Sequence, residues 1–149
     1  MSADVVAGEA RASSEGPGST VGFIVLLGRV LFVAIFVVAS LGDFQSGTIG
    51  YAASHGVPMA NVLVPVAGVI SLAGGLSILL GFKARVGAWL IVIFLVPVTL
   101  MMHAFWGLTD PMAAQTQQIH FMKNVSMLGA ALLISQFGAG PLSLDARNR

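Results

Sequence analysis

An arginine stands inside an apolar run near the beginning of this sequence. The run, LLGRVLFVAIFVV, covers residues 26–38, and Arg29 is its one charged residue. A guanidinium near the middle of a bilayer costs about 2.5–3.5 kcal/mol unless it meets a partner or a water-filled cavity. We therefore favour an inward-facing residue that backbone carbonyls and water satisfy. The alternative makes Arg29 a candidate ligand-binding residue.

A second polar group is expected at the opposite end of the apolar runs. Its members either close or open a run: Asp43, His103, Trp106, His120, Lys123 and Asn124. Helical spacing puts His103 and Trp106 on one face and His120 and Lys123 on another, so two polar faces can meet. Asp43 and Lys123 are the one pair of opposite charges at this depth, and pairing would lower the cost of both.

These residue types do not assemble into catalytic machinery. There is no nucleophile with a placed base, no metal-ligand constellation and no phosphate-cradling loop, so we predict no catalytic residue and no metal site. His103 and His120 carry imidazoles that could ligate haem or a metal, but two histidines on separate helices more often form hydrogen bonds. Trp106 also stands where an interfacial aromatic belt would place it.

The composition is that of a membrane protein. Of the 149 residues, 56% are hydrophobic and 9% are charged, with a mean hydropathy of +0.92, whereas soluble proteins carry roughly one quarter charged residues. A net charge of +1 without a basic cluster argues against a nucleic-acid partner. Because the chain has no cysteine, it cannot itself carry out thiol redox chemistry.

Four apolar stretches position the polar residues. They cover residues 21–41, 61–81, 86–105 and 119–137, and each reaches the roughly 17–25 residues that a spanning helix needs. We therefore expect an all-α membrane protein whose transmembrane domain is residues 21–137. Residues 1–20, rich in Ser, Gly and Ala, are expected to form a flexible tail. Residues 138–149 are expected to form a cytoplasmic C-terminal tail.

The loops predict the orientation of these helices. Lys83 and Arg85 lie between the second and third stretches, and Arg147 and Arg149 follow the fourth, whereas the other two loops contain no Lys or Arg. Because cytoplasmic loops carry the excess of positive residues, both termini are predicted in the cytoplasm. Arg29 is then expected about eight residues, or roughly 12 Å, from the cytoplasmic start of its helix, near the middle of the bilayer.

Small residues in the second stretch predict close helix packing. Ala67, Ser71 and Gly75 recur every four residues, with Gly74 beside them, and this spacing lets helix backbones approach closely. The short turn GFKARVG makes the second and third helices neighbours. The expected architecture is an antiparallel four-transmembrane-helix bundle.

Three blocks of the sequence resemble the DoxX family of small bacterial integral membrane proteins. They are LLGRVLFVAIFVVASLGDF, LAGGLSILLGFKARVGAWLIVIFLVPVTLMMHAFW and IHFMKNVSMLGAALLI, and their order and spacing carry the resemblance over nearly all of residues 21–137. Two positions depart from the family pattern: Asp43 stands where members commonly carry Lys, and Ser71 where they carry an acidic residue. The resemblance implies a multi-pass protein of the bacterial cytoplasmic (inner) membrane.

The resemblance also implies a role beside redox enzymes rather than independent catalysis. The expected function is a membrane subunit that anchors or assists a quinone-linked or oxidative- and thiol-stress assembly, with the lipid bilayer and redox enzymes as partners and homo-oligomerisation left open. The alternative is a membrane protein that binds a small hydrophobic ligand, with quinone the one cofactor class considered. A small transporter is less favoured, because the later stretches contain no Asp or Glu and show no inverted repeat.

Overall fold

The computed structural model describes residues 17–147, with side chains from residue 19 onward, and this range contains helices and no β-strand. The helices are α1 (Pro17–Gly42), α2 (Ser46–Ser54), α3 (Ala60–Leu80), α4 (Ala84–Met102), α5 (Pro111–Phe137) and α6 (Leu144–Arg147). Residues 1–16, most of the predicted flexible tail, lie outside the described residues. The first helix begins four residues earlier than the predicted stretch, at Pro17.

Three helices in the described range have the length and composition of membrane spans. They are Ser19–Gly42 within α1, together with α3 and α4, and they correspond to the first three predicted stretches. α5 is longer, at 27 residues, but its N-terminal half carries polar side chains such as Gln117, His120 and Lys123. Residues 17–147 are therefore all-helical apart from their connecting loops, and three of these helices can span a bilayer. The fourth span stays a prediction.

Small residues bring α3 and α4 together at the turn that joins them. A Cβ atom on Gly74 would lie 2.8 Å from the carbonyl oxygen of Gly87, and one on Gly87 would lie 2.5 Å from the hydroxyl of Ser77. Both positions therefore have room only for hydrogen, and the two backbones approach closely. On a neighbouring face of α3, a Cβ on Gly75 would lie 3.2 Å from Val33 of α1.

α1 runs antiparallel to α3 but is displaced along it. Arg29 contacts Ile78 near the end of α3, whereas Asp43, just past the end of α1, lies beside Gly68. Gly68 follows Ala60, the first residue of α3, by eight residues, a rise of about 12 Å. The beginning of α1 therefore extends past the end of α3, and α2 packs against the N-terminal part of α3.

The hydrophobic core lies between α1, α3, α4 and α5. Its buried members are Val33, Phe36, Ile78, Ala88, Ile91, Leu95 and Ala131. α5 packs against α4 and supplies Ala131 to this core. Many other large apolar side chains, such as Leu31 and Val38, are exposed. Such a surface is suited to lipid, whose tails are as apolar as leucine.

The chain after α5 folds back onto the helices as a segment of residues 138–147, called here the C-terminal segment. It packs on Gly81 in the α3–α4 turn, where an added Cβ would overlap the Cβ of Ser143. Gly81 also has φ +64°, a left-handed conformation that glycine adopts without steric cost. The region predicted as a C-terminal tail is therefore folded against the helices as far as residue 147.

Asp145 fastens the C-terminal segment to the start of α4. Its backbone N–H donates to the Gly81 carbonyl at 2.7 Å. Its carboxylate oxygens accept hydrogen bonds from the backbone N–H groups of Lys83 and Ala84, at 2.8 and 3.0 Å. These N–H groups open a helix and have no partner within it, so the segment supplies the acceptors that the start of α4 lacks.

Candidate functional site

Arg29 is buried at the end of α3 and is bound by backbone oxygens. Its side chain is 4% exposed. Nε donates to the Ile78 carbonyl at 2.9 Å, and Nη2 donates to the Leu79 carbonyl. Nη1 donates to the carbonyls of Ala139 at 2.9 Å and Leu142 at 2.7 Å. The α3 carbonyls belong to its last turn, where a helix offers them no donor, so the guanidinium supplies the missing donors.

Backbone carbonyls satisfy Arg29, as one of the two interpretations of the sequence expects. The hydroxyls of Ser71, Ser77 and Thr99 donate to other backbone carbonyls, those of Gly68, Phe82 and Leu95 respectively. The guanidinium of Arg29 lies level with the end of α3. All three of its nitrogens donate hydrogen bonds, and they join α1 to α3 and to the C-terminal segment.

Asp43 has the opposite surroundings. Its Oδ2 atom is buried and has no hydrogen-bond partner, which is true of no other buried side-chain nitrogen or oxygen in residues 19–147. The expected ion pair with Lys123 is absent from this part of the chain, because Asp43 lies beside Gly68 of α3 and Lys123 is exposed on α5. A buried polar atom without a partner is uncommon in a folded protein and calls for an explanation.

Asp43 lines an apolar cavity between α2, α3 and α4. The cavity has a volume of about 410 Å³, within the range of small-molecule sites. Its polar wall residues are Asp43, Thr48, Tyr51 and His103. The remaining wall residues are apolar: Ala52, Val57, Leu63, Val64, Val66, Ala67, Ile70, Ile93, Phe94, Pro97, Val98, Met101 and Met102. A largely apolar wall with a few polar groups is typical of a site for a hydrophobic ligand.

The surroundings of Asp43 favour the neutral form of its carboxyl group. Burial raises the pKa of Asp43, because an ionised carboxylate without a partner is costly in apolar surroundings. The neutral carboxyl can donate one hydrogen bond and accept others, whereas the ionised form only accepts. Gly68 leaves room for this side chain, since a Cβ there would lie 2.8 Å from the Cβ of Asp43.

A polar cluster lies where α4 ends and α5 begins. His103 Nδ1 donates to Gln117 Oε1 at 2.8 Å, and the His103 ring stacks on the ring of His120, with centroids 5.3 Å apart. Burial lowers the pKa of His103, and the hydrogen bond to Gln117 opposes that shift. Because His103 also lines the Asp43 cavity, this cluster connects the cavity to the beginning of α5.

The other predicted polar positions lie outside the Asp43 cavity. Trp106 is 65% exposed and contacts the rings of Phe105 and Phe121 edge to face. Asn124 is buried on α5. Lys123 is exposed there, and its positive charge contributes to lowering the pKa of His103. The two polar faces do meet, through His103 and His120 rather than through an ion pair.

Of the predicted packing residues on α3, three are buried between helices and one lines the Asp43 cavity. Ser71, Gly74 and Gly75 are buried on α3, and Ser71 Oγ donates to the Gly68 carbonyl at 3.2 Å. Ala67 is half-buried and lines the Asp43 cavity. The small-residue face of α3 therefore packs against helices toward its C-terminal end and forms a cavity wall toward its N-terminal end.

Sequence reasoning missed three polar residues of this region. Gln117 could have been found, because it lies three residues before His120 on the same helical face. Thr48 and Tyr51 belong to α2 and line the cavity, but they fall in a stretch that the hydropathy pattern assigns to a loop. Nothing in that stretch indicates that it folds back against α3.

The sequence matches one family model and is similar to two known proteins. The family model described as DoxX matches residues 24–104, a range that includes Arg29 and every residue of the Asp43 cavity wall. The inner membrane protein YphA of Escherichia coli (strain K12) is 33% identical over 126 residues, 83% of this chain and 89% of YphA. The inner membrane protein YqjF of the same strain is 30% identical over 123 residues, 81% of this chain and 88% of YqjF. No solved structure matches.

Proposed function

We propose that this chain, which belongs to the DoxX family, is a multi-pass inner-membrane protein that binds a small neutral hydrophobic ligand of the quinone class. The relatives are inner membrane proteins, and three helices can span a bilayer. One observation carries the ligand proposal: the residue with a buried, unpartnered carboxyl oxygen lines an apolar cavity of about 410 Å³.

The chemistry of the cavity favours a ligand with a hydrogen-bond acceptor. Because burial raises the pKa of Asp43, its neutral carboxyl is favoured, and this form has an O–H to donate. A quinone ring presents carbonyl oxygens that accept such a bond and an otherwise apolar body that suits the aliphatic and aromatic walls. Tyr51 and His103 are further polar groups in the wall that can contact the second carbonyl.

Quinone retained from the native membrane tests this proposal. The protein would be purified gently, and quinone per protein would be measured by mass spectrometry for the wild type, Asp43→Leu and Asp110→Leu. Asp110 is an exposed residue that caps α5, so it serves as the matched carboxylate control. We expect retained quinone in the wild type and the control, and loss in Asp43→Leu. Equal retention in all three would refute the proposal.

We also propose four spans with both termini in the cytoplasm. α5 has 27 residues, a length of about 40 Å, and the Lys and Arg residues of the loops favour this orientation. The chain has no native cysteine, so single-cysteine variants report sidedness directly. A membrane-impermeant maleimide applied to spheroplasts is expected to label Gln115→Cys but not Arg147→Cys. Labelling of both or neither would indicate that α5 does not cross.

A second candidate function, anchoring a redox enzyme, is favoured by exposed apolar residues at the Arg29 end of the bundle. Phe82 in the α3–α4 turn is 49% exposed, and Leu142 and Leu144 in the C-terminal segment are 50% and 38% exposed. Exposed apolar side chains outside the spans are typical of interaction surfaces. In the proposed orientation this surface faces the cytoplasm, where a soluble partner could dock.

Crosslinking in whole cells followed by proteomics tests the anchoring role. We expect a soluble oxidoreductase among the proteins crosslinked to the wild type, and its loss in Phe82→Ser/Leu144→Ser. Leu31→Ser, which alters an exposed apolar residue within α1, is the control and should retain the partner. A wild type that crosslinks no oxidoreductase would remove the anchoring proposal and leave ligand binding unaffected.

A further inference from the structure

A second cavity lies at the Arg29 end of the bundle. Its volume is about 420 Å³, and its walls are the start of α4, the end of α5 and the C-terminal segment. It shares no wall residue with the Asp43 cavity. It is therefore a separate site, and what it binds does not depend on the ligand proposed above.

Two cationic side chains line this second cavity. Neither Lys83 nor Arg85 forms an ion pair within residues 19–147, and the Lys83 ammonium lies 5.7 Å from the centroid of the Phe82 ring. The carboxylate in the wall, Asp145, accepts hydrogen bonds from the backbone N–H groups of Lys83 and Ala84. Its oxygens are thus directed at the start of α4, and the cationic groups remain available to an anion.

Exposed apolar residues border the cations. Val86 in the first turn of α4 is 57% exposed, and Phe137, the last residue of α5, is 79% exposed. Both line the cavity. A lipid combines the two matching features, because its phosphate can meet the cations while its acyl chains cover the apolar border. Basic pockets between membrane helices on the cytoplasmic side are typical of anionic headgroup sites.

We infer that this second cavity binds a phosphate group, and that the group belongs to the headgroup of an anionic lipid. Lys83 and Arg85 approach it from the α4 side, and the acyl chains lie along Val86 and Phe137. Each cation near a membrane surface contributes about 1 kcal/mol toward an anionic lipid. The two together predict a preference of about 30-fold for an anionic over a zwitterionic lipid, the fold-change that corresponds to about 2 kcal/mol.

Native mass spectrometry of the full chain in detergent tests the inference. Phosphatidylglycerol and phosphatidylcholine with identical acyl chains are the probes. In Lys83→Asn/Arg85→Gln we expect the preference to disappear. Asn is chosen because Lys83 has φ +49°, a left-handed conformation that Asn tolerates. Arg147→Gln removes an exposed cation that does not line the cavity, and it should keep the wild-type preference.

A single substitution shows whether the double variant loses the lipid preference because it has lost the cations or because it is misfolded. Arg85 is exposed, so Arg85→Gln should unfold at the wild-type temperature and reduce the preference about fivefold, the effect of one cation. Equal binding of the two lipids by the wild type would overturn the inference. So would a preference that survives in the double variant, or one that Arg147→Gln loses to the same degree.

Inorganic phosphate distinguishes the two sources of the phosphate group. Weak phosphate binding that the double variant loses, beside stronger binding of phosphatidylglycerol, supports a lipid headgroup. Phosphate binding as tight as that of phosphatidylglycerol would overturn the assignment to a lipid, because the acyl chains would then contribute nothing.

Discussion

Arg29 and Asp43 lie fourteen residues apart, and these two ionisable side chains differ in how far their hydrogen-bonding groups are satisfied. All three nitrogens of Arg29 donate to backbone carbonyls. Asp43 carries a buried oxygen with no partner and lines an apolar cavity. Buried polar groups are normally satisfied. The difference therefore separates a residue that joins helices to one another from a residue whose partner, in the function proposed above, is a ligand.

The largest expected effect is at Arg29. Arg29→Leu leaves the carbonyls of Ile78, Leu79, Ala139 and Leu142 without their donor, and the loss should lower the free energy of unfolding by about 3 kcal/mol or more. Thermal unfolding in detergent would measure it. Arg29→Lys should recover only part of the loss, because an ammonium cannot reproduce the planar arrangement of donors.

A control substitution in the C-terminal segment measures how much the loss of a positive charge by itself changes the free energy of unfolding. Arg147→Leu removes an exposed cation and should leave the unfolding temperature unchanged. If Arg29→Leu unfolds at the wild-type temperature as well, the carbonyl contacts do not stabilise the fold and the comparison with Asp43 fails.

Gly68→Ala changes the packing around Asp43 and leaves the contacts of Arg29 unchanged. The new Cβ would lie 2.8 Å from the Cβ of Asp43, and such overpacking costs about 1–3 kcal/mol. Gly28→Ala is the matched control within α1, because nothing lies within 4 Å of a Cβ there. In a helix interior that change should be neutral or stabilise by up to about 1 kcal/mol. Equal unfolding temperatures for the two variants would contradict the close approach at Gly68.

Asp43→Leu is expected to stabilise the protein while abolishing ligand binding. Removing a buried, unsatisfied polar atom should raise the free energy of unfolding by about 1–2 kcal/mol. Asp110→Leu should have the opposite sign, since Asp110 accepts from the N–H groups of Met112 and Ala113 at the start of α5. Losing such a cap costs about 1 kcal/mol. Chemical denaturation in detergent measures both, and destabilisation by Asp43→Leu would show that the carboxyl has a partner.

The smallest expected effect is a dependence of stability on pH. The folded-state pKa of Asp43 is raised above 3.8, so the folded protein keeps a proton that the unfolded chain releases. The free energy of unfolding should therefore fall as pH rises from 3.8 through the raised value. The folded-state pKa of His103 is lowered below 6.5, so stability should fall as pH drops from 6.5 through the lowered value.

Two substitutions show which side chain causes each of these pH dependences. Asp43→Asn should abolish the first and His103→Gln the second, as measured by unfolding temperature against pH. A pH profile that neither substitution changes would mean that neither group is shifted by burial.

The hydropathy pattern predicts most of the helices, because each apolar span is a local property of the sequence. The structure agrees with the first three stretches to within a few residues. α2 escaped prediction because SGTIGYAAS contains glycine and serine, which have low helix propensity. Its buried Ala52 indicates that packing against α3 stabilises it. Tertiary contact of this kind leaves little trace in a local pattern.

The sequence indicates which charged residues to consider but not what they contact. The sequence singles out both Arg29 and Asp43 because charges are rare in this chain. It does not show that α1 is displaced along α3, which sets Arg29 beside the end of α3 and Asp43 beside Gly68. Two of the Arg29 acceptors, Ala139 and Leu142, come from more than a hundred residues away. A backbone carbonyl carries no signal in the sequence.

Titration of a short-chain quinone into the protein in nanodiscs tests the central claim most directly. The account predicts saturable binding to the wild type, binding within about tenfold of it for Asp43→Asn, which keeps a neutral hydrogen-bond donor, and no binding for Asp43→Leu. Binding to Asp43→Leu as tight as to the wild type would contradict the account. So would loss of quinone binding in Asp43→Asn, because the site would then require a carboxylate rather than a neutral donor.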